Sequence, residues 1–441
     1  MSIGWARSVL TAYRWGGALA YPAVGAYLAL RTSRGKEDRS RVKERYGRSA
    51  VARPEGPLVW LHAASVGETA AVIPLLEYLS SLSISVVLTT GTVTSARLAS
   101  DRLGDNVIHQ YVPLDLKPAV SRFLTHWKPD LAIIAESEIW PMTILELGAR
   151  RVPQVLVNGR LSDRSFASWQ RRSYLAEALF ENLSLVVAQS ELDAFRFREL
   201  GARPVVVAGN LKVDTLPPPA DEAEVQLLQS QIGGRKTWAA ISTHEGEEEI
   251  AADVHAMLAR RHKDLLSIIV PRHPERGNAI EEMLRAKGLT VARRSRGDVI
   301  SPGAAIYLGD TIGEMGLYLR LTEVAFVGRS MTAQGGQNPI EPAALGTAVL
   351  SGQNVQNFRE AYRSLIASGA AKLVKDKETL AASVNYLFNN PASRREMIAA
   401  AQVALHNMGG ALSRTLAHLE PYVQPLIVKA QLEGGNGKKK S

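Results

Sequence analysis

The segment LVWLHAASVGETAAVIPLLEYLSSLSISVVLTT, residues 58–90, decides the fold. Two short apolar, β-branched runs, 58–62 and 84–90, flank a stretch that opens on Ser65 and Glu68 and continues as an apolar helix. Serine followed three residues later by glutamate is a capping box, in which each residue satisfies the other's free backbone N–H. Strand, helix and strand in this order predict a parallel pair joined by a crossover helix.

The unit repeats. In the first half, further strands are expected at 107–111, 131–136, 154–158, 185–189 and 204–209. The second half repeats the pattern at 237–242, 266–271, 289–294, 305–309, 324–328, 347–352 and 372–376. Between the halves lies KVDTLPPPADEAE, whose prolines Pro217 to Pro219 can continue neither a helix nor a central strand. The reading is α/β, with two Rossmann-like doubly wound domains at 54–213 and 236–410 and a linker at 214–235. Segment 411–441 is expected to be a C-terminal helix and a disordered basic tail, and 1–53 an apolar anchor with a basic flank. Two such domains facing one another would form a cleft at the carboxyl ends of both sheets, where open α/β sheets bind ligands.

Composition narrows the function classes. The chain has 441 residues, 46% hydrophobic and 22% charged, and no cysteine. Disulfides, thiolate metal sites, iron–sulfur clusters and cysteine nucleophiles are thereby excluded. The net charge of +9 lies in two places. Arg31 to Arg53 holds nine basic residues against Glu37, Asp38 and Glu44, and Lys438 to Lys440 close the chain. The remainder is neutral, so the basic balance does not point to nucleic acid. Trp15 to Leu30 carries no charge and is followed by the basic cluster. It is expected to attach the chain to a membrane, spanning or lying in the interface, with the domains on the cytoplasmic side beside anionic headgroups.

Candidate chemistry sits at strand ends. Glu68 is a possible proton acceptor as well as a capping residue. AESEIWP brings Glu136 and Glu138 to one sheet edge, where alternation points them the same way and each can shift the other's pKa. The alternative is a helix cap for one and an arginine partner for the other. GNLKVD supplies Lys212, suited to an anionic ligand or to solvent. In the second half STHEGEEE, PRHPER, GDTIGEMG and GGQNPIEP each follow a strand and open a helix, where backbone N–H groups favour an anion. Asn338, Pro339 and Glu341 also read as N-cap, N1 and N3 of a helix. GEEE reads as a solvated helix start, and His62, His244 and His273 lack metal-ligand spacing. Neither a Walker A sequence nor GxGxxG occurs.

These blocks, HAASVGE, ESEIWP, NGRLS, GNLKVD, STHEGEEE, PRHPER, GDTIGEM and FVGRS…GGQNPIEPAALGTAVLSG…NF, run over nearly the whole chain. In their order the sequence resembles the bacterial 3-deoxy-D-manno-octulosonic acid (Kdo) transferases. The resemblance implies a glycosyltransferase B fold, a CMP-Kdo donor, a lipid A precursor (lipid IVA) as acceptor at the inner membrane, inversion at the transferred sugar, and no metal or other cofactor. It implies Glu68 as proton acceptor and Glu138 and Lys212 as transition-state stabilisers. Arg272, His273, Gly313, Glu314, Met315, Asn338, Pro339, Ile340 and Glu341 would bind the CMP moiety. The chain departs from the family pattern at Gln337, where histidine is expected, at Gln353, where proline is common, and in GTVTSAR at 91–97, which lacks a glycine after the threonines. A UDP-sugar glycosyltransferase of the same architecture and a non-catalytic nucleotide-sugar binder are the competing readings.

Overall fold

The structure, a computed structural model, describes residues 24–82, 84–102 and 107–437. Its residues separate into two units, 1–215 with 409–441, and 216–408.

The first unit is a seven-stranded parallel sheet: β1 Leu58–His62, β2 Ser85–Thr90, β3 Val107–Tyr111, β4 Leu131–Ala135, β5 Gln154–Gly159, β6 Leu185–Ala188 and β7 Val205–Val207. The order is β3-β2-β1-β4-β5-β6-β7. The second unit repeats this with β8 Thr237–Thr243, β9 Leu266–Pro271, β10 Val291–Arg293, β11 Ile306–Leu308, β12 Val324–Val327, β13 Ala348–Ser351 and β14 Ala371–Leu373, ordered β10-β11-β9-β8-β12-β13-β14. All fourteen expected strands are present, within three residues at each end. Their legibility has a simple cause. A parallel sheet covered by helices on both faces buries every residue of its central strands, so β4 and β12 read as unbroken apolar runs, and β1 and β9 as runs interrupted only by His62 and Ser267.

Each sheet is wound outward in both directions from its first strand, switching between β1 and β4 and between β8 and β12; in the second sheet β11 also lies between β9 and β10. The crevice at the carboxyl ends of such a pair is where open α/β sheets place ligands.

The C-terminal helix, Ala411–Gly437, belongs to the first unit. Its Leu419, Val423 and Leu426 are buried against Val59, Leu61, Val86 and Val187 of that sheet. The stretch from Leu432, expected to be disordered, is helical through Gly437; Lys438 to Lys440 lie outside the described residues.

The N-terminal basic segment is not one solvated patch. Arg45 is buried, forks onto Glu37 at 3.0 and 3.2 Å, and donates to Gly91 O and Val112 O. Arg41 forks onto Glu44 and reaches His109, and Glu44 accepts the backbone N–H of Tyr111. Both guanidinium groups stack on the Tyr111 ring at 4.8 Å. These residues clamp the segment to the end of β3, while Arg34, Lys36, Arg39, Lys43 and Arg48 remain exposed. Of the expected anchor, residues 15–23 lie outside the described residues, and Val24–Ser33 is a helix. Among the described residues no helix is long and apolar enough to cross a membrane.

Candidate active site

The first sheet gathers ionisable side chains at its switch point. β1 ends in His62, β4 runs into Glu136 and Glu138, β5 carries Asn158, and Lys212 follows β7 in the short 3-10 turn Leu211–Val213. Glu136 adopts a left-handed backbone conformation (φ 56°) directly after β4. That turn breaks the strand alternation, so the two glutamates do not share a direction as expected. Glu136 is buried and ion-paired with Lys212. Glu138 faces His62, with Oε2 at 3.7 Å from Nε2, and accepts a hydrogen bond from the Trp140 indole N–H at 2.7 Å. The helix Pro141–Ala149 is capped by neither glutamate; Asp115 accepts from the N–H groups of Met142 and Thr143.

Asn158 holds this edge together. Also left-handed (φ 53°), a conformation asparagine tolerates better than most residues, it donates to Glu136 at 3.4 Å and accepts the Leu211 N–H at 3.0 Å. Lys212 is 15% exposed and paired, so it is no solvated linker lysine.

Glu68 occupies the first turn of the helix Val66–Ser81, and its capping box is fully formed. Glu68 Oε2 accepts from Ala64 N at 2.7 Å and Ser65 N at 3.4 Å, while Ser65 Oγ accepts from Glu68 N at 3.3 Å. Both bonds to the backbone fall on Oε2 and leave Oε1 for a ligand. Capping and catalysis therefore use different oxygens. Burial, reinforced by the charges of Glu136 and Glu138, pushes the Glu68 carboxyl above its ordinary pKa despite the bonds from Ala64 and Ser65. Burial also works to raise Glu138, but His62 and the Trp140 N–H outweigh it and hold that carboxyl below the ordinary value. The loop before Glu68 is braced by Gly91, whose N–H donates to Ala64 O at 2.9 Å. A Cβ at Gly91 would stand 2.8 Å from that carbonyl.

The second sheet spends its carboxylates differently. Glu247 and Glu248, read from the sequence as a solvated helix start, are 0% and 1% exposed. Glu247 Oε2 accepts from His244 N and Arg329 N at 2.9 and 2.6 Å, and Oε1 from Ser330 N and Met331 N at 2.9 and 3.0 Å. One buried carboxylate thus pins the loop after β12 to the loop after β8. Glu248 takes the Thr243 hydroxyl and a forked Arg276, which fixes the PRHPER loop after β9. The helix start expected to attract an external anion already holds the protein's own.

On this frame Arg272 and His273 are exposed, and the His273 ring lies edge-on to His244 with centroids 5.7 Å apart. Burial, with help from Arg329 and His273, lowers the His244 pKa. After β11, Gly313 is left-handed (φ 86°), Glu314 is forked by Arg294 at 2.6 and 3.0 Å, and Met315 begins a one-turn helix. The Arg294 fork holds the Glu314 carboxyl below its ordinary pKa. The helix expected from Asn338 begins at Ile340, with Pro339 at the cap position. Asn338 Oδ1 accepts the Ile340 N–H at 3.1 Å and its amide donates to Glu341 at 3.2 Å. The Asn338–Glu341 loop is tied back through Gly336 N, which donates to Arg329 O at 2.9 Å.

The expected residues thus divide into two sets. Glu68, Glu138 and Lys212 share the edge of the first sheet, and the nine donor-side positions sit in the loops and helix starts after β9, β11 and β12. His62, Asn158, Glu247, Glu248 and Arg276 went unassigned in the sequence, although each lies inside a quoted block. Among the described residues no cluster of three or more His, Asp or Glu is placed to hold a metal ion.

Comparison with known proteins assigns this arrangement. The N-terminal family model of 3-deoxy-D-manno-octulosonic-acid transferase (Kdo transferase) matches residues 40–215. The 3-deoxy-D-manno-octulosonic acid transferase of Haemophilus influenzae is 33% identical over 412 residues, spanning 91% of this chain and 96% of that one. The enzyme of the same name from Bordetella pertussis is 37% identical over 396 residues, spanning 86% and 91%. In fold the chain is similar to a glycosyltransferase from Rickettsia africae, with a TM-score of 0.58 at 13% identity, over 84% of this chain and 99% of that one. The two parallel-sheet units resemble those of glycosyltransferase B enzymes, and the chain belongs to the 3-deoxy-D-manno-octulosonic acid transferase family, as a glycosyltransferase that transfers Kdo.

Proposed function

We propose that the protein transfers Kdo from CMP-Kdo to a hydroxyl of a lipid A precursor, lipid IVA, in lipopolysaccharide biosynthesis, with inversion at the anomeric carbon. Glu68 acts as the base. The acceptor oxygen attacks the anomeric carbon, the hydroxyl proton passes to Glu68 Oε1, and the bond to the phosphate of CMP breaks with its electron pair leaving on the nucleotide. The observation that carries this reading is the placement of Glu68: half its carboxylate is fixed by the capping box, the other half is available, and burial beside Glu136 and Glu138 raises its proton affinity.

Lys212 and Glu138 stabilise charge at the reacting centre, and the ion pair of Lys212 with Glu136 orients the ammonium. On the donor side, Arg272 and His273 meet the phosphate, and Gly313, Glu314, Met315 and Asn338 to Glu341 hold the nucleoside. The braces from Glu247 and Glu248 fix the loops that carry these contacts. None of these roles calls for a metal ion.

The acceptor is a lipid, and the N-terminal segment suits a bilayer surface. Tyr27 and Leu30 are exposed on the helix Val24–Ser33, and Arg34, Lys36, Arg39, Lys43 and Arg48 are exposed beyond it. An apolar helix edge followed by exposed cations binds an anionic leaflet, at about 1 kcal/mol per basic residue near the surface. On this reading the protein works at the inner membrane, with its catalytic units on the cytoplasmic face.

The test is transfer of Kdo from CMP-Kdo, generated in place, to a tetraacylated lipid A precursor in detergent. Wild type should form product, and Glu68→Gln, still folded because glutamine can complete the capping box, should not. No product from wild type with CMP still bound would send the reading to another acceptor or to a non-catalytic binder; inhibition by UDP but not CMP would favour a UDP-sugar donor.

A further inference from the structure

The proposed mechanism makes no use of His62, the last residue of β1, although its ring is the most deeply placed ionisable group at that edge. It is 2% exposed, and its Nε2 is buried without a hydrogen-bond partner. The other ring nitrogen is anchored: Nδ1 lies 3.1 Å from the Thr89 carbonyl oxygen and 2.9 Å from the Thr89 hydroxyl. That hydroxyl already accepts the Trp60 indole N–H at 2.9 Å.

A carbonyl oxygen can only accept, so the 3.1 Å contact with the Thr89 carbonyl is a hydrogen bond only when Nδ1 carries the hydrogen. A neutral ring protonated there presents a bare lone pair at Nε2. Nε2 faces Glu138 Oε2 at 3.7 Å, and an ionised carboxylate can only accept too. Two lone pairs facing each other in a buried site repel. The arrangement is favourable only with a proton in the gap.

We propose that His62 is a positioning residue for Kdo transfer: its ring and the Glu138 carboxylate hold one proton between them, and this pair fixes the orientation and charge of Glu138 beside Glu68. The inference rests on the reading of Glu68 as the base. At 3.7 Å the pair interacts through charge, and on this proposal it tightens to a hydrogen bond around bound substrate.

The charges around the pair explain its use. Glu68 approaches from the helix Val66–Ser81, Glu136 and Glu138 from the turn after β4, and Lys212 from the turn after β7. Trp140 and Thr89 contribute neutral groups. Without the extra proton, three carboxylates would face one ammonium. With it the cluster carries a single negative charge, which is cancelled when Glu68 takes the acceptor's proton. His62 thus limits how strongly Glu138 raises the proton affinity of Glu68, and keeps the base ionised at working pH.

Two conservative variants separate this role from simple anchoring of β1 to β2. His62→Asn retains an N–H for Thr89 and removes the atom facing Glu138; His62→Gln places an uncharged amide toward Glu138 and gives up the Thr89 bond. The proposal expects His62→Asn to lose the more activity of the two, with partial rescue in His62→Gln. It also expects the acid limb of kcat/KM for His62→Asn to move up by about one pH unit, the scale of losing one neighbouring opposite charge. In the Glu138→Gln background His62→Asn should cost little more. An anchoring role predicts the reverse order, with activity tracking Tm and an unmoved pH profile; that result overturns the proposal.

A second measurement does not depend on turnover. Nitrogen-15 histidine spectra of the full chain in detergent, with His62 assigned by its loss in His62→Asn, should show both ring nitrogens protonated at neutral pH and Nε2 losing its proton in Glu138→Gln. A bare Nε2 or Nδ1 in wild type, or no response to Glu138→Gln, overturns the pair. If instead Glu68→Gln keeps wild-type turnover while the spectra come out as expected, the base assignment fails and the shared proton stands.

Discussion

The two sheet edges hold acidic residues in comparable positions and put them to opposite uses. At the second edge Glu247 is wholly buried, and its oxygens are saturated by four backbone N–H groups. A carboxylate so completely satisfied has no capacity left for chemistry, and its function is to hold loops still. At the first edge Glu68 keeps one oxygen for a ligand, and Glu136 and Glu138 face Lys212 and His62. Burial beside Glu136 and Glu138 raises Glu68 while His62 holds Glu138 down, and carboxyls driven apart in this way are suited to exchanging protons. Burial alone therefore does not mark a catalytic acid. What separates the two edges is whether the carboxylate's partners are fixed backbone dipoles or other ionisable groups.

Substitution of the equivalent acids should give opposite signatures. Glu68→Gln is expected to lower kcat/KM by about a thousandfold, within the range attributed to a general base, with Tm unchanged. Glu247→Gln should do the reverse. Its amide turns one NH₂ toward N–H groups that need acceptors, at a cost of about 3 kcal/mol in the second unit, read from thermal or denaturant unfolding. Its turnover, measured where it remains folded, should fall through a weaker KM for the donor. If both variants lost rate and stability together, the division into reacting and bracing acids would be wrong.

A smaller effect tests the brace from its backbone side. Gly328 sits where β12 gives way to the Glu247-bound loop, and a Cβ there would lie 2.6 Å from Ser242 O and 2.8 Å from Glu247 Oε2. Gly328→Ala should destabilise the second unit by about 2 kcal/mol, the usual cost of overpacking. The donor KM should rise with it while the pH profile of the first edge stays put. A pH profile that moved would mean the loops are coupled to the base.

The contrast also explains what the sequence could and could not convey. Strands were legible because both faces of each sheet are covered, which writes the core directly into consecutive residues. Glu68 was legible as a cap because a capping box is local, spanning three residues. What stayed hidden depends on distant partners. The left-handed turns at Glu136, Asn158 and Arg329 occur at residues other than glycine, and nothing nearby in the chain announces them. The turn at Glu136 is what sends the two glutamates to different partners. The burial of Glu247 and Glu248 was missed because an acidic helix start usually faces water, and the groups that satisfy Glu247 include N–H donors more than eighty positions later. The C-terminal helix gave no sign in its own sequence that it returns to the first sheet.

Acidification offers the finest test, because the two units respond to it in different ranges. Glu68 has a raised pKa, so the acid limb of kcat/KM should lie above the ordinary glutamate value of 4.5. In the second unit burial works to raise Asp310, but Ser295 and Arg293 outweigh it and the carboxyl is held below 3.8; Glu281 is likewise held below 4.5 by Arg296, Arg293 and Arg285 against the effect of burial. A carboxylate depressed in the folded state stabilises the fold above its unfolded pKa, and loses that contribution only as pH falls through the folded value. Between the acid limb and roughly pH 4 the protein should therefore be folded and inactive. Activity lost there should return in full on neutralisation, with circular dichroism unchanged throughout. If unfolding accompanied the activity loss, the limb would report the fold rather than Glu68, and the two edges would not be separable by pH.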